Sequence, residues 1–251
     1  SDISLPNQFA LENAVYVANE QKLTPRVTLQ YGLRYSFFTY LGPGTVYTYP
    51  NVAGNFKRYP ISSQTYNDWV NIKTYSNPEP RASINYSLNE KSSIKASYNR
   101  MAQYIHLVSN TNASIPIDTW TPSTPNIQPQ KSDQYSLGYF RSLGKDNQFQ
   151  VSVEGFYKDM WNQLDYIDGA NLRFNRFLEG ELISGKGRSY GMEFYVRKSE
   201  GRFTGWLSYT LSRSERQVQG INNNNWYANK FDRTHNLSSV AMYELGKRWS
   251  L

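Results

Sequence analysis

The stretch from Arg26 to Phe38, RVTLQYGLRYSFF, alternates without a break. Val27, Leu29, Tyr31, Leu33, Tyr35 and Phe37 are apolar or aromatic, and Thr28, Gln30, Gly32, Arg34 and Ser36 between them are polar or small. A period of two is that of a β-strand with one apolar and one polar face, and it excludes an amphipathic helix here. The pattern returns in RASINYSL (81–88), IKASYNR (94–100), QYSLGYF (134–140), FQVSVEGFY (149–157), SYGMEFYVR (189–197) and FTGWLSYTL (203–211). A weaker strand is expected over about Ala10–Asn19, a full one over about Thr234–Leu245, and the start of another in GKRWSL. The question is what the apolar face touches: a protein core or lipid.

The connections carry the answer. Short turns at Glu20–Thr24, NEKSS, SLGKDN and SEG alternate strictly with long polar and aromatic segments at 42–78, 103–130, 160–187 and 212–230. Matching the apolar faces across the tight turns sets Leu88 opposite Ile94, Tyr86 opposite Ala96, Tyr139 opposite Val151 and Phe194 opposite Leu207. About ten up-and-down antiparallel strands, trimmed at one end and elaborated at the other, describe a transmembrane β-barrel. A soluble sandwich has Greek-key returns and does not sort its loops by end. On the barrel reading Leu29, Tyr31 and Leu33 meet lipid. Gln30, Gly32, Arg34 and Ser36 then face a polar lumen, where a charge avoids the ~2–4 kcal/mol it would cost at mid-depth on the lipid face. Tyr35, Phe37 and Tyr40, near the outer end of the strand, fit an aromatic girdle. A soluble up-and-down barrel with the same residues in its core is the alternative.

Composition agrees. The mean hydropathy of −0.68 is no objection, because lumen-facing polar residues cancel lipid-facing apolar ones. No run approaches the ~18 apolar residues of a membrane helix. Zero cysteines exclude disulfides, thiolate metal sites and cysteine nucleophiles, and two histidines, His106 and His235, make a histidine-rich metal site or other bound cofactor unexpected. The net charge of +7 comes from scattered Lys and Arg with no basic cluster or recognition helix, so no nucleic-acid partner is expected. No basic-then-apolar leader follows Ser1, so the expectation is a processed chain or an interior piece of a longer one.

NEQKLTPRVTLQYGLRYSFF, PNIQPQKSDQYSLGYFRSL, SGKGRSYGMEFYVRKSEGRFTGWLSYTLSRSE and KFDRTHNLSSVAMYELGKRWSL together resemble the C-terminal barrel of TonB-dependent outer-membrane receptors, in the large-barrel form common in Bacteroidota. The resemblance covers nearly the whole chain. It implies membership of a barrel of about 22 strands closed by an N-terminal plug domain. It also implies a bacterial outer-membrane location and uptake of a scarce ligand driven by the TonB–ExbB–ExbD system. About ten strands and no plug are present here, so residues 1–251 are expected to be part of such a barrel domain, with its own plug domain and remaining strands as partners. Outer-membrane lipid, other outer-membrane proteins and a surface lipoprotein are further expected partners.

Candidate site residues divide by end and by face. Trp69, Trp120, Trp161, Tyr166, Trp226 and Tyr227 lie in or beside the long segments and are candidates for ligand capture, since aromatic rings give contact area at low entropy cost. The alternative is that they pack the loops or reach lipid headgroups. Arg34, Glu154, Glu193 and Arg197 fall on the lumen face and are candidates for meeting the plug, Glu154 and Glu193 being expected almost opposite each other. GRSYG (187–191) matches a nucleophile elbow, with Asp232 and His235 following in hydrolase order, but Ser189 enters a strand with no helix after it. Asp232 and His235, with Asp165 and Asp168 in another loop, also allow a rim protease of the small-barrel kind. No catalytic role is expected. The leading reading is a receptor that captures a ligand at its loops and imports it. A non-transporting barrel within an outer-membrane assembly and the rim protease are the alternatives.

Overall fold

The structure, a computed structural model, describes residues 7–51, 54–108, 119–172, 175–246 and 249–250. Its strands are β1 (Phe9–Thr24), β2 (Val27–Leu41), β3 (Gly44–Thr48), β4 (Ser62–Tyr66), β5 (Asn71–Asn89), β6 (Ser92–Gln103), β7 (Ile105–Val108), β8 (Thr119–Pro122), β9 (Gln130–Leu143), β10 (Phe149–Tyr166), β11 (Leu182–Lys198), β12 (Phe203–Gln217), β13 (Tyr227–Ala228), β14 (His235–Gly246) and β15 (Trp249–Ser250). One antiparallel sheet runs β1-β2-β5-β6-β9-β10-β11-β12-β14-β15, with β13 added beside β12, while β3–β4 and β7–β8 are separate small hairpins. The ten-strand path is the up-and-down order expected from the sequence.

Residues opposite each other on a ladder share a face, so the register shows each face directly. One row carries Leu29, Ile84, Ala96, Leu137, Gly155, Met192 and Leu211, and the next carries Tyr31, Ala82, Tyr98, Tyr135, Tyr157 and Tyr190. This apolar face is uncovered: Leu137 is 60% exposed and Met192 46%. Burial lies instead on the polar face at one end, where Ser36, Phe38, Asn77 and Glu79 are enclosed beneath the long connections. The polar face is therefore the inside, and among the described residues the apolar face meets no protein core.

The register also yields the tilt. Following the ladder from Val27, the first residue of β2, through Tyr86, Ile94, Tyr139, Val153, Phe194 and Tyr209 leads to Leu237, nine residues short of the end of β14 at Gly246. Val27 follows the Pro25–Arg26 turn and Gly246 pairs with Trp249 where β15 begins, so both strand ends belong at one level. A slide of nine residues over seven strand-to-strand steps, at ~3.3 Å per residue and ~4.8 Å per step, is a tilt of about 40°. Membrane barrels tilt by roughly 35–45°.

Several expectations need correction. The pairs across tight turns are Tyr86–Ile94, Ile84–Ala96, Tyr139–Val153 and Phe194–Tyr209, each two residues from the expected partner. Matching faces fixes only the parity. The choice between registers two apart is made by turn detail, such as the bulge between Ser87 and Asn89 or the left-handed Gly144, Asp146 and Asn147. β1 continues to Thr24, so the first turn is at Pro25–Arg26 rather than Glu20–Thr24. The long connections are shorter than expected because strands extend into them: β5 starts at Asn71, β10 runs to Tyr166, β11 starts at Leu182 and β12 ends at Gln217. Beyond the apolar zone the ladder persists while both faces turn polar, which erases the period-two signal. Tyr40 is not a girdle residue. It lies on the inner face, buried with Phe38 and Tyr104.

Candidate functional site: the loop cluster over the lumen

The site is built on the inner wall of β2 and β5. Arg34 projects there between Glu12 (3.3 Å) and the buried Glu79 (3.7 Å). One turn further out, the Ser36 hydroxyl lies 2.6 Å from both Glu79 and the Tyr104 phenol, Asn77 donates to that phenol at 2.8 Å, and Phe38 stacks on its ring at 4.9 Å. Tyr104 thus pins the chain leaving β6 inward over the wall, and the β7–β8 hairpin follows it. The hairpin is amphipathic: His106, Val108 and Thr121 are buried, while Ile105 and Trp120 on the other side are 49% and 63% exposed. His106 holds Ser123 at 3.0 Å through Nε2, and its Nδ1 finds no partner among the described residues. Burial lowers its pKa to about 4, so the ring is neutral at ordinary pH.

Three of the four connections lock together beyond this point. Val108, Ile127, Leu172 and Leu182 form a small apolar core. Around it, Arg58 of the β3–β4 hairpin donates to the carbonyls of Glu179 (3.0 Å) and Leu182 (2.6 Å), with its guanidinium over the Tyr49 ring at 5.7 Å. Lys57 pairs with Glu181 at 2.6 Å, and Asn55 bonds Asp168 through both side-chain and backbone groups at 2.7 Å. Glu179 accepts from Thr124 and Asn126 at 2.5 Å, tying in the segment after β8.

Two nearby carboxyls are shifted in opposite directions. Burial raises the Glu179 pKa and outweighs its hydrogen bonds. Burial also pushes Glu181 up, but Lys57, the Asn171 N–H and Asn175 overcome it and hold that carboxyl below its ordinary range. The fourth connection joins at the side, where the Tyr227 phenol donates to Asp165 at 2.5 Å and Arg216 lies 3.6 Å from the same carboxylate.

The candidate aromatics do not converge. Tyr166 packs against the loop core, and Tyr227 is spent on Asp165. Trp226 lies under the Arg188 guanidinium at 4.2 Å. Trp161 sits on the outer face between Lys131 and Lys186. Trp69 is exposed and packs near Phe9, at 6.2 Å, on the outer side of β1. Trp120 remains as an exposed aromatic of the cluster. On the inner face Glu154 and Glu193 are direct cross-strand partners, and neither they nor Arg197 forms an ion pair among the described residues.

Asp232 and His235 are each engaged by structural partners. Asp232 accepts from Arg213 and the Ser214 N–H, and His235 holds the Tyr209 hydroxyl at 2.7 Å. Ser189 lies inside β11 opposite Lys158 and Ser214, in no elbow. No group of three His, Cys, Asp or Glu among the described residues could hold a metal ion. The residues that organise the cluster, Arg58, Lys57, Glu179, Glu181, Tyr104 and His106, were not candidates from sequence. The one hint was two carboxylates inside the apolar run FLEGELI.

The profile of the TonB-dependent receptor-like β-barrel matches residues 5–250. The chain belongs to that family. No curated protein sequence matches it. Among solved structures it is similar to the FrpB iron transporter from Neisseria meningitidis (TM-score 0.62, 14% identity, 98% of this chain and 32% of that one). It is also similar to the ferric-catecholate import receptor Fiu from E. coli K12 (0.61, 16%, 96% and 33%) and to the alcaligin outer-membrane receptor FauA from Bordetella pertussis (0.57, 18%, 95% and 35%). The chain spans about a third of the length of these structures. At such identities the likeness is one of fold.

Proposed function

We propose that this chain is the loop-bearing wall of a bacterial outer-membrane receptor that captures a scarce ligand at its extracellular loops and passes it inward through a plugged lumen, using energy from the TonB system. The observation that carries the reading is the arrangement of the two faces. An uncovered apolar face suits lipid, and a polar inner face is roofed by an organised cluster of three connections, the usual place for capture in a barrel. Family membership supports it.

The names of the similar structures, an iron transporter and receptors for a ferric catecholate and for alcaligin, point to a ferric chelate as the ligand class. Such a ligand brings its own metal donors and needs no metal-binding cluster from the protein. Trp120 and Ile105, exposed on the β7–β8 hairpin, offer it an apolar platform. Glu154, Glu193, Arg34 and Arg197 are the inner-wall groups for the plug to meet. The test is deletion of the gene in its host, followed by growth on a panel of ferric chelates under iron limitation, beside a strain lacking TonB. Loss of growth on one chelate class in both strains is expected. Unimpaired use of every chelate, with other outer-membrane proteins missing from the membrane, would replace transport by a scaffolding role.

A further inference from the structure

The inner wall carries unequal charge from one side to the other. Glu154 and Glu193 stand unpaired on β10 and β11, and Arg34 is taken by Glu12 and Glu79. Toward the tight turns from that ion pair, β1, β2, β5, β6 and β9 enclose an open basin of about 840 Å³, a volume within the ordinary range of a small-molecule site. Gln30 is the ladder partner of Ser83, Ser83 of Ser97, and Ser97 of Ser136, so the floor of the basin is a row of hydroxyl and amide groups on the inner face. These groups largely satisfy one another: Ser83 donates to Gln30 at 3.2 Å, and the Ser97 and Ser136 hydroxyls lie 2.6 Å apart.

Three groups in the basin are not satisfied. Arg81 lies two residues from Ser83 on one side of the row, and Lys95 lies two residues from Ser97 on the other. At ~3.3 Å per residue and ~4.8 Å per strand, their Cα atoms are about 14 Å apart with the two hydroxyls between. Neither cation forms an ion pair among the described residues. Glu20, the one carboxylate among the lining residues, is on β1, two strands from Arg81 and three from Lys95, and accepts from Gln30 Nε2 at 2.5 Å. The third group is Asn99, the ladder partner of both Arg81 and Gln134, whose Oδ1 is buried with no hydrogen-bond partner among the described residues. A buried acceptor left bare is destabilising, and a ligand that donates to it recovers that cost.

We propose that this basin holds an anionic, hydroxyl-bearing solute, a hydroxycarboxylate or a chelate that displays one, on its way through the lumen. The carboxylate lies between Arg81 and Lys95 above Ser83 and Ser97, and the hydroxyl donates to Asn99 Oδ1. Glu154 and Glu193 repel the same solute, so one side of the wall serves passage and the other is left to the plug. The proposal rests on the import reading and adds to it the charge of the ligand and the side of the wall it follows.

The test uses the full-length receptor in outer-membrane vesicles. These 251 residues hold no cysteine, so Ser97→Cys reports the basin through its rate of labelling by methanethiosulfonates, with the parent receptor as blank. Gln134→Cys is the second reporter should Ser97→Cys fail to assemble. With Arg81 and Lys95 within about 8 Å, a sulfonate reagent is expected to label Ser97→Cys about fivefold or more faster than a trimethylammonium reagent. Gln134→Cys, about 10 Å from Arg81, should show a preference of the same sign. The preference is expected to vanish when Arg81→Gln and Lys95→Gln are combined. L-Malate should slow the labelling, succinate, which lacks the hydroxyl, should do so about threefold less effectively, and dimethyl malate should have no effect. Equal rates with the two reagents, no change in the double variant, or equal protection by malate, succinate and the ester overturns the site. Inertness of both cysteines overturns it too, by showing the basin filled with protein. The labelling needs no transport, so an anion-selective basin in a receptor whose deletion leaves every chelate usable would strike the import reading and leave the binding site standing.

Discussion

Arg58→Ala should release the loop cluster while leaving the barrel wall intact. The guanidinium makes two charge-assisted bonds, to the Glu179 and Leu182 carbonyls at 3.0 and 2.6 Å, and covers the Tyr49 ring at 5.7 Å. Because Arg58 is only half-buried, each bond is taken at the low end, about 1.5 kcal/mol, and the ring contact contributes no more than about 0.5 kcal/mol. A loss of about 3 kcal/mol is about two decades in the opening equilibrium. Hydrogen exchange on the full-length receptor reads it directly. The amides of Ile167 and Gly180, bonded to the Glu181 and Phe177 carbonyls within the cluster, should exchange about 100-fold faster. Amides of the β10–β11 ladder around Val153 and Phe194 should keep their wild-type rates. A change of less than about threefold at Ile167 and Gly180 would show that the three connections are not coupled through Arg58. An equal acceleration in the ladder would show that cluster and wall unfold as one body, and either result refutes the reasoning.

Acidification should loosen the same cluster through His106. Its pKa is lowered by burial from 6.5 to about 4, so the unfolded loop takes up a proton first, and stability present above pH ~6.5 is lost as pH falls toward about 4. Cluster exchange should quicken over that window, and His106→Gln should abolish this component. Leu137→Arg and Ser136→Arg test the two faces with adjacent residues: the first should cost ~2–4 kcal/mol of folding free energy in vesicles, and the second no more than about 1 kcal/mol for its hydrogen bond to Ser97. Equal costs would reverse the face assignment. Gly205→Val should block assembly of the folded barrel on unheated gels, because at φ +151° its Cβ would lie 2.1 Å from the Val240 carbonyl. Tyr227→Phe should cost about 1 kcal/mol in loop stability by removing the bond to Asp165, seen as faster exchange at Tyr227 and its neighbours only.

The wall of this molecule was legible from its residues, and the roof was not. Alternation in RVTLQYGLRYSFF marks a strand because each side chain meets one of two solvents, and the sorting of turns by length places the two ends. The register escaped by two residues because either choice keeps Leu, Tyr and Ile on the same face. The loop cluster has no period to read. Arg58 and Glu181 sit in segments far apart in the chain, and their partners follow from the folded path alone. The roles of the aromatic residues could not be sorted from sequence because one side-chain chemistry serves three purposes here. Tyr227 is a hydrogen-bond donor to a half-buried acid, Trp161 stands on the outer wall, and Trp120 is exposed on a loop hairpin.

The persistence of the ladder beyond the apolar zone has a consequence for reach. β10 continues nine residues past Tyr157, the last aromatic of its outer apolar face before Asp159. At ~3.3 Å per residue and a tilt of about 40°, that is a stiff collar about 20 Å high. The headgroup zone on one side of a bilayer is only about 5–8 Å thick. On the proposed membrane reading, the cluster therefore stands well above the lipid surface on a hydrogen-bonded turret. A bulky solute or a large protein ligand can meet it without pressing against the membrane, and the height is set by backbone pairing, so changes in loop sequence alter the chemistry on offer while leaving the platform where it stands.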